Sequence, residues 1–272
     1  IGDNGAVYHS ENAENWIKSS VNSSVSLSDI TYSEDKDIWV AVGYGYNNKS
    51  NIFVSNDLIN WRSYSSGNFF GFTSVIYNGN DFIATHEFES EYISSDGVSW
   101  FLREDSSYLT TAATVYYDLE NDLLLKAGEG GRISTSRDAI NWTKKVSPTL
   151  GDTQGVDYSE QDGYAIVGQK HSWEGGLLIS DNGIDWTEHN IPGSSLLRDI
   201  KYGSGVWVAV GVGGDIYRSA NKLDWTLVYT GVDWLRSIDY DPITGRWVTV
   251  GWPNKILTSE DSINWISVNA GT

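Results

Sequence analysis

Ser94-Ser95-Asp96-Gly97-Val98-Ser99-Trp100 is one of seven copies of the frame Ser-x-Asp/Asn-x-x-x-Trp. The others run from Ser10 to Trp16, Ser55 to Trp61, Ser136 to Trp142, Ser180 to Trp186, Ser219 to Trp225 and Ser259 to Trp265. Successive tryptophans lie 45, 39, 42, 44, 39 and 40 residues apart. A period of that length, with several strand signals in each unit, is the period of a propeller blade. Such units cannot bury their faces singly and share a continuous core. Residues 1–272 are therefore expected to form a single β-propeller domain, although the length alone would accommodate about two domains.

The frame itself is turn chemistry. Apolar strand residues precede it, as in Ile52-Phe53-Val54 and Ile256-Leu257-Thr258. Short polar side chains that bond nearby backbone N–H groups follow, as a tight turn requires. The Trp then opens the returning strand and is large enough to bury against the adjoining hairpin.

The frame resembles the motif of the Asp-box, or BNR-repeat, β-propeller family, Ser-x-Asp-x-Gly-x-Thr-Trp. The position before the Trp departs from that motif, being Asn15, Asn60, Ser99, Asn141, Asp185, Asp224 and Asn264. The resemblance extends over nearly the whole chain and implies a β-propeller. It says little about activity, because the family includes sialidases, xyloglucanases, sortilin-type receptors and a photosystem II assembly factor. It also implies that the seven Asp/Asn residues are structural, since the motif usually sits away from the active site.

Each unit reads as four strands of an antiparallel blade. The first ends in an apolar-x-Tyr signature, from Ile30-x-Tyr32 to Ile238-x-Tyr240, and a polar hairpin turn such as Gly203-Ser204-Gly205 follows. The second is nearly all apolar, as in Trp39–Gly43, Trp207–Gly211 and Trp247–Gly251, which suits a strand covered on both faces. The third leads into the turn, and the fourth begins at the Trp. Seven third/fourth hairpins stand against six first/second hairpins, so residues 1–17 read as a half blade preceding six complete blades. The expected architecture is all-β and seven-bladed, with two strands upstream of Ile1; six blades with a spare hairpin is the alternative. A chain that opens on Ile and holds no Met reads as a processed product or one region of a larger polypeptide.

Composition narrows the partners. Eighteen basic and 36 acidic residues give a net charge of −18, which repels a phosphate backbone and argues against nucleic acid and anionic membrane surfaces as partners. No apolar run approaches the ~18 residues needed to span a bilayer. Without Cys there is no disulfide, thiolate nucleophile or thiolate metal ligand. The four histidines, His9, His86, His171 and His189, lack metal-ligand spacing. No metal, no cofactor and no catalytic residue is assigned.

In a propeller, the fourth-to-first and second-to-third connections share one face. Of thirteen tryptophans, seven belong to the turns and three open second strands. The remaining three, Trp173, Trp234 and Trp252, fall in loops of that face, with Trp234 and Trp252 flanking one blade. Rings beside polar loops stack on the C–H face of a sugar or anchor a protein contact. Tyr44 and Tyr46 are assigned to the same face. Arg198 and Arg236 share one register at the start of the first strand in neighbouring blades, with Gln154 in the blade before. Two guanidinium groups there suit a carboxylate or phosphate, unless Asp199, Asp233 or a Glu neutralises them.

The expected function is a non-catalytic recognition module that binds a glycan or a surface protein through these ligand-binding residues. By analogy, the acidic composition rich in Ser, Asn and Gly suits an extracellular or virion-borne setting, such as a phage tail or a bacterial surface adhesin. A sialidase-like glycoside hydrolase is one alternative. Sialidases of the resembled family use three arginines, a Tyr/Glu pair and an acid, whereas this chain has eight Arg and no Arg-Ile-Pro-like opening. Glu87, Glu89, Glu129 and Glu174 could supply two carboxylates, but so acidic a chain places carboxylates in its loops regardless. An assembly or scaffold propeller is the other alternative.

Overall fold

The computed structural model describes residues 1–44, 51–65, 71–86, 91–103, 112–145, 151–170 and 174–268. Its regular structure is all-β apart from two three-residue 3-10 turns, Asp3–Gly5 and Glu129–Gly131. Six four-stranded antiparallel sheets follow one another along the chain, each ordered first-second-third-fourth, after a two-stranded sheet of Ala6–His9 and Ile17–Ser20. These are the blades of a β-propeller. Blade one holds Ser26–Ser33, Ile38–Tyr44, Ile52–Ser55 and Arg62–Tyr64. Blade two holds Phe72–Tyr77, Phe82–His86, Glu91–Ser94 and Phe101–Arg103, and blade three Ala112–Asp118, Leu123–Gly128, Ile133–Ser136 and Thr143–Lys145. Blade four holds Thr153–Ser159, Gly163–Gln169, Gly175–Ser180 and Thr187–His189. Blade five holds Leu197–Gly203, Val206–Gly211, Ile216–Ser219 and Trp225–Tyr229, and blade six Trp234–Asp241, Arg246–Trp252, Lys255–Ser259 and Ile266–Ser267. The fourth strand begins one residue after the motif Trp, except in blade five, where Trp225 opens it.

The chain divides into two compact units, one of residues 1–9, 17–126 and 134–143, the other of residues 10–16, 127–133 and 144–272. In the first, Val40, Val42, Ile52 and Val54 of blade one pack against Phe72, Val75 and Phe82 of blade two. In the second, Ala165, Val167 and Leu177 of blade four meet Leu197, Ile200 and Trp207 of blade five. Val206, Val208, Val210 and Ile216 of blade five meet Leu235, Ile238 and Trp247 of blade six. The unbroken apolar run of the second strand of blade five is thus explained: Trp207 and Ala209 face blade four, and Val208 and Val210 face blade six.

All seven turns close in the same way. The Ser hydroxyl donates to Oδ1 of the Asp or Asn two residues on, at 2.9–3.2 Å. That Oδ1 then accepts the next two turn N–H groups at 2.7–3.0 Å. The residue after the Asp/Asn is left-handed in every copy, with φ from 56° at Ala139 to 75° at Gly97. Six of the indoles donate Nε1–H to that residue's carbonyl; Trp186 leaves its buried Nε1 unbonded.

The departure from Thr before the Trp has a physical reason. Asn60, Asn141 and Asn264 donate Nδ2–H to the second oxygen of Asp57, Asp138 and Asp261. In two of the three turns where the turn residue is Asn, the roles reverse, and Asn182 and Asn221 donate to Asp185 and Asp224. One amide and one carboxylate therefore clamp five of the turns. The backbone N–H and amide donors hold the carboxyls of Asp57, Asp138 and Asp261 well below the ordinary range. A carboxyl depressed by folding stabilises above its unfolded pKa, and that contribution is lost as pH falls below about 4. Asp138→Asn is expected to lower the melting temperature at pH 7, because two amides then face each other. Adding Asn141→Asp rebuilds the clamp in its reversed form and restores the melting temperature; a double variant as unstable as the single one would refute the pairing.

Neighbouring first strands are tied by side-chain to backbone bonds. Asp29 accepts from the Ser74 hydroxyl and the Val75 N–H of blade two at 2.7 and 2.9 Å. Asp199 accepts from Ser237 and Ile238 N–H of blade six at 2.8 and 2.9 Å, and from its own Ile200 N–H. Asp157 accepts from Tyr202 N–H of blade five. Enclosed between two strands, the Asp199 carboxyl is pushed up to about 7 by burial, against the opposing pull of its donors and Lys201. A raised carboxyl contributes stability that is complete below pH ~4 and is lost as pH rises through ~7. Asp199→Asn keeps an acceptor and carries no charge. Its stability relative to wild type, measured by urea unfolding, is expected to increase from pH 5 to pH 8; an unchanged difference would mean Asp199 does not titrate there.

Candidate functional site

The end of blade six where the first strand starts and the second finishes carries two indoles. Trp234 and Trp252 are direct partners in the antiparallel register. Their ring centroids lie 6.5 Å apart with planes tilted by 53°, and they are 45% and 55% exposed. At the same rim position blade one pairs Ser26 with Tyr44, and blades four and five bring together Asp152 with Gln169 and Leu196 with Val212. Blade six alone among these carries an aromatic ring on both strands. Gly251 brings the strands close: a Cβ there would collide with the Trp234 carbonyl, just as one at Gly43, Gly168 or Gly211 would strike the carbonyl of Ser26, Asp152 or Leu196. Val232, 90% exposed, extends the apolar patch, and Lys255 pairs with Asp233 at 3.4 Å beside it.

One step inward, every first strand with a defined register bulges once. The shift falls between Leu27 and Asp29, Phe72 and Ser74, Thr153 and Gly155, Leu197 and Asp199, and Leu235 and Ser237. A bulge leaves one residue outside the ladder and re-aims its side chain. The residues so placed are Ser28, Thr73, Gln154, Arg198 and Arg236. Arg198 donates to the Gln154 Oε1 at 3.3 Å. Burial, and after it the like charge of Arg236, pull the Arg198 guanidinium below its ordinary value.

The carboxylates that could have neutralised the two arginines are engaged elsewhere. Asp199 is bonded to Ser237, Ile238 and Ile200, and Asp233 to Lys255. Among the described residues neither arginine makes an ion pair. In a chain of net charge −18, two guanidinium groups close enough for Arg236 to act on Arg198, with no ion pair among the described residues, form a local cationic spot on the blades that carry this rim. Chemically that combination suits stacking plus bidentate bonding of a planar anion.

Tyr44 lies in the first unit, ends the second strand of blade one, and is 43% exposed. It packs on Gly71, where any Cβ would collide with the ring. Trp173 and Tyr46 lie outside the described residues, as do Glu87, Glu89 and His171. Glu129 and Glu174 are exposed loop residues.

Sequence reasoning missed Val232 and the Asp233–Lys255 pair; an apolar residue two places before an isolated Trp was the available signal. It also missed a groove of about 470 Å³ in the first unit, lined in part by Asn22, Asn60, Trp61, Arg62, Tyr64 and Asp96. Much of its polar lining is used within the turns: Asp57 is held by Ser55, Ile59 and Asn60, and Asn56 donates to the Asp37 carbonyl.

No family model and no curated protein matches the chain. Solved structures do. YCF48 bound to D1 peptide is 17% identical with a TM-score of 0.69, over 98% of this chain and 85% of that chain. A catalytically inactive virginiamycin B lyase from Staphylococcus aureus, solved with quinupristin, is 13% identical with a TM-score of 0.75, over 97% and 87%. The WD40 β-propeller domain of Doa1 is 12% identical with a TM-score of 0.72, over 96% and 88%. At these identities the likeness is one of fold: this chain is similar to multi-bladed β-propellers.

Proposed function

We propose that the chain is a non-catalytic recognition module of the Asp-box (BNR-like) type, one propeller domain over residues 1–272. It binds a glycan through the rim that carries Trp234, Trp252, Arg198 and Arg236, with Trp173 as a further contact; Tyr44 and Tyr46, in the other unit, are proposed as ligand contacts in their own right. The observation that carries this reading is the register pair Trp234/Trp252, two half-exposed rings set beside a pair of arginines that have no acid partner among the described residues. A sugar ring offers apolar C–H faces to the indoles, and an acidic substituent offers the arginines a planar anion. The setting proposed is extracellular or virion-borne, in a phage tail or a bacterial surface adhesin.

A second reading is supported by the neighbours. One similar propeller was solved with a peptide bound, and another is a WD40 domain; both support a protein partner in a binding or scaffold role, which this reading assigns to the same rim. Indoles and arginines are also the usual anchors of protein interfaces.

A glycan array of neutral and acidic sugars separates the two. Capture of particular glycans by the wild-type protein, weakened by Arg236→Ala for the acidic ones, supports the first reading. A blank array together with saturable binding to a surface protein favours the second. Turnover of a fluorogenic sialoside or glucoside, abolished by a single Glu→Gln substitution, would replace both with a glycoside hydrolase.

A further inference from the structure

The outward flank of blade six is open where the same flank of blades one, two, four and five is closed. In blades one, two, four and five, two side chains of the second strand face the following blade: Val40 and Val42, Ile83 and Thr85, Ala165 and Val167, and Val208 and Val210. All eight are at most 2% exposed. The corresponding pair in blade six, Val248 and Val250, is partly exposed. The exposure is confined to the first and second strands, because Ile256 and Thr258 of the third strand are 5% and 1% exposed.

The first strand repeats the pattern in polar form. Asp29, Ser74 and Asp199 occupy one register position, and each accepts a backbone N–H from the first strand of the following blade, at Val75, Val115 and Ile238. Two residues on, Asp157 does the same for Tyr202. Blade six carries Ser237 and Asp239 at those two positions. Ser237 is exposed, and the Asp239 side chain is 75% exposed, bonded to its own blade through Tyr240 N–H and to Lys201 at 3.1 Å. Ser237 and Asp239 are cross-strand partners of Val250 and Val248, so the two apolar and two polar positions share one flank. The sheet of Ala6–His9 and Ile17–Ser20 has the turn of a third/fourth hairpin but no inner pair of strands.

We infer that the flank formed by Ser237, Asp239, Val248 and Val250 docks a β-hairpin of the kind this chain uses for the first two strands of a blade. The occupant's first strand offers backbone N–H groups to Ser237 Oγ and the free Asp239 oxygen. Its second strand is apolar on both faces and covers Val248 and Val250. The chemistry is that of blades one, two, four and five, where the same positions bury such a hairpin.

The probe is a synthetic peptide copying residues 196–212, titrated into the intact chain beside a scrambled control. Expected are saturable one-to-one binding by calorimetry, a raised melting temperature, and slowed amide exchange across residues 235–251. Val248→Asp should abolish binding and Asp239→Ala weaken it, whereas Arg198→Ala, on blade five, should leave it unchanged, which keeps the test separate from the rim site. The exchange measurement uses unsubstituted protein and stands even if Val248→Asp misfolds. Absence of binding and of protection overturns the inference, as does a peptide that protects some other surface. A wild-type dimer that Val248→Asp dissociates would make a second copy the occupant and equally overturn it.

Discussion

Replacing Trp234 and Trp252 together by Ala is expected to weaken ligand binding by about 100-fold, or roughly 3 kcal/mol, the scale of losing two aromatic anchors at a contact centre. Each single variant should lose about 10-fold, measured by calorimetry against whichever glycan or protein the wild type captures. The fold should survive, because both rings are about half exposed, while the core contacts of the blade run through Leu235, Ile238, Trp247 and Leu257. Substitutions at such positions usually move stability by no more than about 0.5 kcal/mol. Unchanged affinity in the double variant, with the melting temperature preserved, would remove the rim from the proposed site.

The largest stability effect is expected at Glu91. Its carboxylate, 1% exposed on the third strand of blade two, pairs with the Lys126 ammonium on the second strand of blade three. That ammonium lies 3.7 Å above the Trp142 ring. Removing one partner of a buried pair costs about 3–5 kcal/mol, because the other charge stays buried without compensation. Glu91→Ala should fall in that range by urea unfolding. Glu91→Leu with Lys126→Met replaces both charges by apolar groups of similar volume and should recover most of the loss. Burial pushes the Lys126 ammonium down to about 7. With Glu91 gone, the folded chain holds that proton less tightly than the unfolded chain. Stability of Glu91→Ala should therefore rise with pH from about 7 toward the unfolded lysine value near 10. A variant equally unstable at pH 6 and pH 9, with no recovery in the double substitution, would mean that the charge pair is not what holds these blades.

The division between legible and illegible features follows the range of the interactions. The seven turns could be read because a Ser, an Asp or Asn and a Trp interact within seven residues, and every bond that closes them is local. The exchange of Asn and Asp between the turn and the position before the Trp was visible in the sequence as well. Its meaning depended on seeing Asn141 donate to Asp138 while Asn182 donates to Asp185. Lys126 shows the opposite case. In Leu-Leu-Leu-Lys-Ala-Gly it reads as a flaw in an apolar strand, and its partner lies in the preceding blade, at a residue that nothing in the local pattern marks.

The candidate site divides in the same way. The shared register of Arg198 and Arg236 and the placement of Trp234 and Trp252 on one blade were open to spacing arguments, since strand position is counted along the chain. Whether an acid neutralises those arginines was not, because Asp199 had to be followed to its donors on the next blade.

By itself the sequence determined the blade: its period, its four strands and the turn that closes it, since all three arise from contacts within about 40 residues. Only the tertiary structure decided which faces are covered. It packed Val208 and Val210 beneath blade six and left Val248 and Val250 partly bare, although the two strands read almost identically. Burial belongs to the neighbour that covers a residue, and that neighbour is not written in the residue's own repeat.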